Sequence, residues 1–168
     1  MIDIEKLSSR FTARKLETGD AADIIELMKK NVLFYKYTEA RPTKEDVIGD
    51  MRATPPGIEI DDKYYFGFYD GAKLVAVMDL IDGFPKPEIA YIGFFMMNAE
   101  YQGRGVGTAI IDEAIAYLRA IGKAKVQLAI DKGNPQSTHF WTKKNGFEII
   151  MEADNNGWIK LVAERKLR

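Results

Sequence analysis

Apolar residues recur along the chain in two rhythms, one helical and one alternating. Ile24, Leu27, Met28 and Val32 fall at helical spacing, with Glu26, Lys29 and Lys30 on the other side. A second helix is predicted from Thr43, whose hydroxyl can cap the first turn while Asp46 reaches back three residues later. Val47, Ile48 and Met51 form its buried side, and Pro55-Pro56 end it. From Gly107 onward, Ile110, Ile111, Ala114, Leu118 and Ile121 share one face of a longer helix that Gly122 closes. Asn134-Pro135 reads as an N-cap followed by proline in the first helical position, so a last helix runs to about Asn145-Gly146.

Between these lie strand-like segments. Residues 11–16 form a short first strand, and residues 63–69 and 73–80 flank Asp70-Gly71, a dipeptide suited to a tight hairpin turn. Residues 89–97 are almost wholly apolar, residues 125–130 read as a further strand, and two strands around 154–157 close the chain as a hairpin. No repeat, low-complexity tract or linker interrupts the pattern. The expectation is one α/β domain over residues 1–168.

Charge and composition narrow the partners. Twenty-four basic and 25 acidic residues give a formal net charge of −1, which offers no footprint for a nucleic-acid backbone or an anionic membrane. The chain has no cysteine, so thiolate metal sites and a cysteine nucleophile are excluded, and no metal is expected. The N-terminus lacks the pattern of a secretory signal, and the longest apolar run, residues 89–97, is too short to span a bilayer as a helix. A cytoplasmic location is the expectation.

The junction at residues 102–108, QGRGVGT, leads from the apolar strand into the long helix. Unpaired N–H groups at a helix start favour negative charge, and glycines before it let a phosphate approach closely. The spacing is not the GxxxxGK[ST] of a nucleotide-triphosphate loop, nor the GxGxxG of a dinucleotide site. It does match Gln102-x-x-Gly105-x-Gly107. Together with the later block GNPQSTHFWTKKNGFE, residues 133–148, this resembles the GNAT superfamily of N-acyltransferases that use acetyl-CoA, and the order of elements fits across essentially the whole chain.

That resemblance implies a GNAT-like fold: a central twisted mixed β-sheet flanked by helices, with a splayed strand pair that receives acyl-CoA. It implies that Gln102, Gly103, Arg104, Gly105, Val106, Gly107 and Thr108 seat the pyrophosphate of acetyl-CoA. Phe95 and Met97 would offer backbone groups to the pantetheine arm, and Asn134 would contact the cosubstrate. Trp141, apart from the resemblance, reads first as packing a helix onto the sheet and second as lining the acyl end. The resemblance further implies direct attack of an amine on the thioester in a ternary complex. It leaves a homodimer open, since dimers are common in such folds.

The catalytic positions depart from the family pattern. Many members carry a carboxylate on the fourth strand, but Tyr91, Ile92, Gly93, Phe94 and Phe95 include none. Many carry a tyrosine seven residues after the Asn, where this chain has Trp141. The interval from Asn134 to Gly146-Phe147 is one residue longer than common, so counting back from it puts Thr142 there instead. Asp79 and Tyr91 stand as catalytic candidates, against edge-strand and core-packing roles. His139, the single histidine, has a pKa range that suits proton transfer but reads first as a surface residue on the last helix. On the acceptor side, Tyr35 and Tyr37 in an aromatic stretch with Phe34 suit a small amphipathic amine, with Glu39 the one acid nearby. The competing readings are acetylation of a protein lysine or N-terminus, and an acyl-CoA-binding module without turnover.

Overall fold

In the computed structural model, which describes residues 1–32 and 42–168, seven strands form one mixed sheet in the order β1-β2-β3-β4-β5-β7-β6. The strands are β1 (Thr12–Lys15), β2 (Lys63–Asp70), β3 (Lys73–Asp82), β4 (Ile89–Met97), β5 (Lys125–Asp131), β6 (Glu148–Asn155) and β7 (Trp158–Lys166). Neighbours are antiparallel except β4 and β5, which run parallel because α3 (Val106–Ala120) carries the chain back between them. The described helices also include α1 (Ala21–Lys29), α2 (Lys44–Arg52) and α4 (Pro135–His139). Tyr35 and Tyr37, with Phe34 and Glu39, lie outside the described residues.

Two apolar layers hold the helices to the sheet. On one face Ile110, Ile111, Ala114 and Leu118 of α3 pack on Phe66, Met78, Ala90 and Leu128. On the other, Ile24, Leu27 and Met28 of α1 and Val47 of α2 cover Tyr65, Val77 and Met96. Each Val, Leu, Ile, Met or Phe among them, fully buried, contributes about 1.5–3 kcal/mol. Local chemistry sets the helix starts as expected: Thr43 and Asp46 form a reciprocal capping box, and the Asn134 side chain caps α4 ahead of Pro135.

Two expected core positions are corrected. Val32 and Ile121 are exposed, because α1 stops at Lys29 and α3 at Ala120, before the helical rhythm of apolar residues runs out.

The register explains where the sheet opens. β4 and β5 pair only over Ile89–Ile92 and Lys125–Leu128. Beyond that point β4 continues to Met97 against β3, while β5 continues to Asp131 against β7. The two strands therefore diverge from Gly93 onward, and the sheet carries a cleft between its halves. This is the splayed strand pair expected from the sequence.

Candidate active site

The cleft, about 440 Å3, sits where the split meets the start of α3. Gly103 and Gly105 carry positive φ angles of 77° and 75°, a backbone that side chains strain, and Cβ atoms at either would meet no atom within 4 Å. The first intrahelical bond of α3 runs from Ala109 N–H to the Gly105 carbonyl at 3.0 Å. The N–H groups of Val106, Gly107 and Thr108 precede it, and no acid stands in the first turn. A diphosphate fits this corner: donors without an intrahelical acceptor, a favourable dipole and open approach.

The side chains around the corner are fixed by few contacts. Gln102 donates to the Met97 carbonyl at 3.2 Å and to the Asn31 side chain, while Asn31 donates to the same carbonyl at 3.0 Å. Met97, expected to meet the pantetheine arm through its backbone, thus has its carbonyl already engaged. Asn31, just beyond α1, is a residue that sequence reasoning missed; a polar residue after a helix gives no signal for it. Arg104 is the member of the corner whose side chain lies outside the cleft: its guanidinium donates to the Glu100 carbonyl and rests 5.9 Å from the Tyr101 ring centroid.

The opposite wall is aromatic. Phe95 of β4 stacks on Phe140 at 6.1 Å between centroids, and Trp141 meets Phe140 edge-on at 4.9 Å. Gly107 lies flush against this wall, since a Cβ there would come within 3.1 Å of Phe140. Phe140–Lys144 continue α4 as a π-helical turn. Such a turn accommodates one extra residue in a helix, so it absorbs the longer interval noted between Asn134 and Gly146-Phe147. It leaves Trp141 buried against Phe147 and part of the cleft wall, while Thr142 donates back to the Thr138 carbonyl. Asn134 also lines the cleft, with Oδ1 accepting from Ser137 N–H at 3.2 Å.

At the apex of the split, β3 places a carboxylate beside β4. Asp79 of β3 pairs with Phe94, whereas the next residue, Leu80, pairs with Ile92, so Gly93 is the extra residue of a β-bulge. Asp79 turns to the α1–α2 face, where its Oδ2 accepts from Lys63 Nζ at 2.8 Å. Burial pushes the Asp79 carboxyl above the usual carboxylate range, and the Lys63 ammonium opposes that rise. Tyr91 shares this face; burial first, and then the charge of Asp79, push its phenol above the ordinary range. Neither Asp79 nor Tyr91 lines the cleft itself. His139 is exposed on α4 and likewise outside the lining.

Comparison with known proteins decides the family. Residues 27–147 match the family model described as the acetyltransferase (GNAT) family. The chain belongs to the GNAT acetyltransferases. An uncharacterized N-acetyltransferase of Methanocaldococcus jannaschii is 33% identical over 82 residues, which cover 49% of this chain and 35% of that protein. The match thus spans about a third of that relative's length. Among solved structures, an acetyltransferase from Thermus thermophilus superposes with a TM-score of 0.73 at 21% identity, covering 93% of this chain and 96% of the other. The spermidine N-acetyltransferase of Vibrio cholerae, in complex with CoA and spermine, gives 0.68 at 20% identity, covering 95% and 97%. These likenesses establish the GNAT fold of this chain. No helix among the described residues is long and apolar enough to cross a membrane.

Proposed function

We propose that this protein transfers an acetyl group from acetyl-CoA to the primary amine of a small molecule, by direct attack within a ternary complex. The observation that carries the reading is the meeting of a glycine corner with a split in the sheet. The corner supplies donors for a diphosphate. The free side of β4, at Phe95, supplies a strand edge for an extended amide-bearing arm. A GNAT chain with both features is built to hold acyl-CoA with its thioester toward the apex.

The acceptor sets the chemical demand. An amine with a pKa of about 10.4 is neutral in only about one molecule in a few thousand at pH 7, worth roughly 4–5 kcal/mol of the barrier. Asp79 meets that demand as the proton acceptor. The ammonium first gives one proton through water to the carboxylate; the neutral nitrogen then bonds to the thioester carbon and releases its second proton to solvent. The carbon–sulfur bond breaks and the thiolate leaves, taking a proton from solvent. Tyr91, held as a neutral phenol, suits a relay through water rather than a base. The aromatic wall of Phe95, Phe140 and Trp141 excludes water from the thioester side.

Incubating the protein with acetyl-CoA and a panel of amines tests this: 2-phenylethylamine, spermidine, glucosamine and a peptide with a free N-terminal alanine. Amine-dependent release of free thiol is expected, strongest with a small amine. Tight acetyl-CoA binding without amine-dependent thiol would turn the reading to a binding module, and turnover of the peptide alone would turn it to a protein acetyltransferase.

A further inference from the structure

We propose that Lys63 is a positioning residue for the acyl transfer: it pins the Asp79 carboxylate by Oδ2 at the apex of the strand split and leaves Oδ1 to take the proton. This rests on the reading of Asp79 as proton acceptor given above.

Strand register creates the contact. Tyr65 of β2 stands opposite Asp79, and Lys63 stands opposite Ile81, so Lys63 and Asp79 are diagonal neighbours on one face. A lysine stem spans that diagonal. The Lys63 side chain is only 2% exposed and the Asp79 side chain 12%, with Nζ and Oδ2 2.8 Å apart. Among the described residues Oδ1 has no hydrogen-bond partner. The bulge at Gly93 clears the space beside the carboxylate, because a Cβ there would come 2.8 Å from Oδ2.

The energetics point to a role beyond holding the sheet together. An ammonium and a carboxylate withdrawn from water lose much of what their attraction returns, so apolar residues would bind β2 to β3 about as well. On the same face Val77 of β3 and Met96 of β4 join the next pair of strands in that apolar way. What the pair adds is a charged carboxylate in a dry place. Among the described residues, Asp79 is faced by Lys63 and Tyr65 of β2, Tyr91 of β4 and Asp50 of α2; the charges that act on it are those of Lys63 and Asp50, and Lys63 is the cation of the two. Burial and Asp50 favour the protonated acid, and Lys63 favours the carboxylate that can accept a proton. In the transfer one proton of the amine reaches Oδ1 through water, because Asp79 stands behind the cleft lining, and the nitrogen so freed forms the carbon–nitrogen bond.

The test is the pH profile of kcat/KM for the fastest amine of the panel, in wild type, Lys63→Met, Lys63→Arg and Asp79→Asn. Removing the cation raises the pH at which the carboxylate forms. The acid limb of Lys63→Met should therefore move upward by about 1–3 pH units, with KM for acetyl-CoA unchanged, and Lys63→Arg should bring it back. A folded Lys63→Met with the wild-type limb overturns the proposal while Asp79→Asn is still inactive. Full activity in Asp79→Asn overturns the base reading itself. If Lys63→Met does not fold, or no amine turns over, Lys63→Gln is titrated by carboxylate 13C NMR, with Asp79→Asn assigning the signal. An Asp79 midpoint that moves upward supports the pinning, and one that stays in place overturns it.

Discussion

The Asp79 carboxylate occupies the space that a side chain at residue 93 would need: Oδ2 lies 2.8 Å from the Cβ position of Gly93. One strand yields its side chain and the neighbouring strand supplies an acid in its place. Gly93→Ala should therefore push Asp79 away from Lys63. The expected cost is about 1–3 kcal/mol in thermal or urea unfolding, with a loss of turnover larger than any change in acetyl-CoA affinity. Adding Asp79→Ala should restore stability without restoring turnover, and a double variant no more stable than Gly93→Ala would refute the steric account.

Gly105→Val tests the corner. Its φ of 75° strains a β-branched residue by about 1–2 kcal/mol, and the new side chain projects into the approach to the helix start. Acetyl-CoA affinity, read by calorimetry, should fall more than tenfold, or about 1.4 kcal/mol, in a protein whose circular dichroism is native. Unchanged affinity would place the cosubstrate elsewhere.

Tyr91→Phe separates relay from base. The phenol is pushed above its ordinary range, so it does not ionise in the neutral region and the basic limb of the pH profile should not move. Turnover should fall by about tenfold, less than the roughly 10²–10⁴ that a general base contributes. A displaced basic limb would make Tyr91 the titrating group.

Trp141→Ala should cost about 3–5 kcal/mol, because the indole is 8% exposed and packs on Phe95, Phe140 and Phe147. Trp141→Phe should recover most of that in denaturant unfolding. A small loss in Trp141→Ala would mean that the π-turn collapses to fill the space.

Local signals carried most of the fold. The Thr43 capping box and the Asn134-Pro135 start each act within a few residues, so their chemistry is written in adjacent letters; the hairpin expected at Asp70-Gly71 turns one residue later, at Gly71-Ala72, because Asp70 still pairs with Lys73. The corner was legible for the same reason. The Lys63–Asp79 contact was not, because it depends on the diagonal register between β2 and β3 and on a bulge whose place a glycine alone does not reveal. Asn31 escaped because its role is set by the Met97 carbonyl, 66 residues away. The longer Asn134–Gly146 interval was visible as a count, yet only the π-turn shows that the extra residue leaves Trp141 in the wall.

The short pairing of β4 with β5 makes this sheet two panels, β1 to β4 and β5 to β7, joined by a narrow seam of parallel ladder. An extended ligand lying in the gap would extend that seam and lock the panels against each other. Occupancy of the cleft should thus register far from it, as slower amide exchange along both β4 and β5 and as a melting temperature that rises with acetyl-CoA concentration.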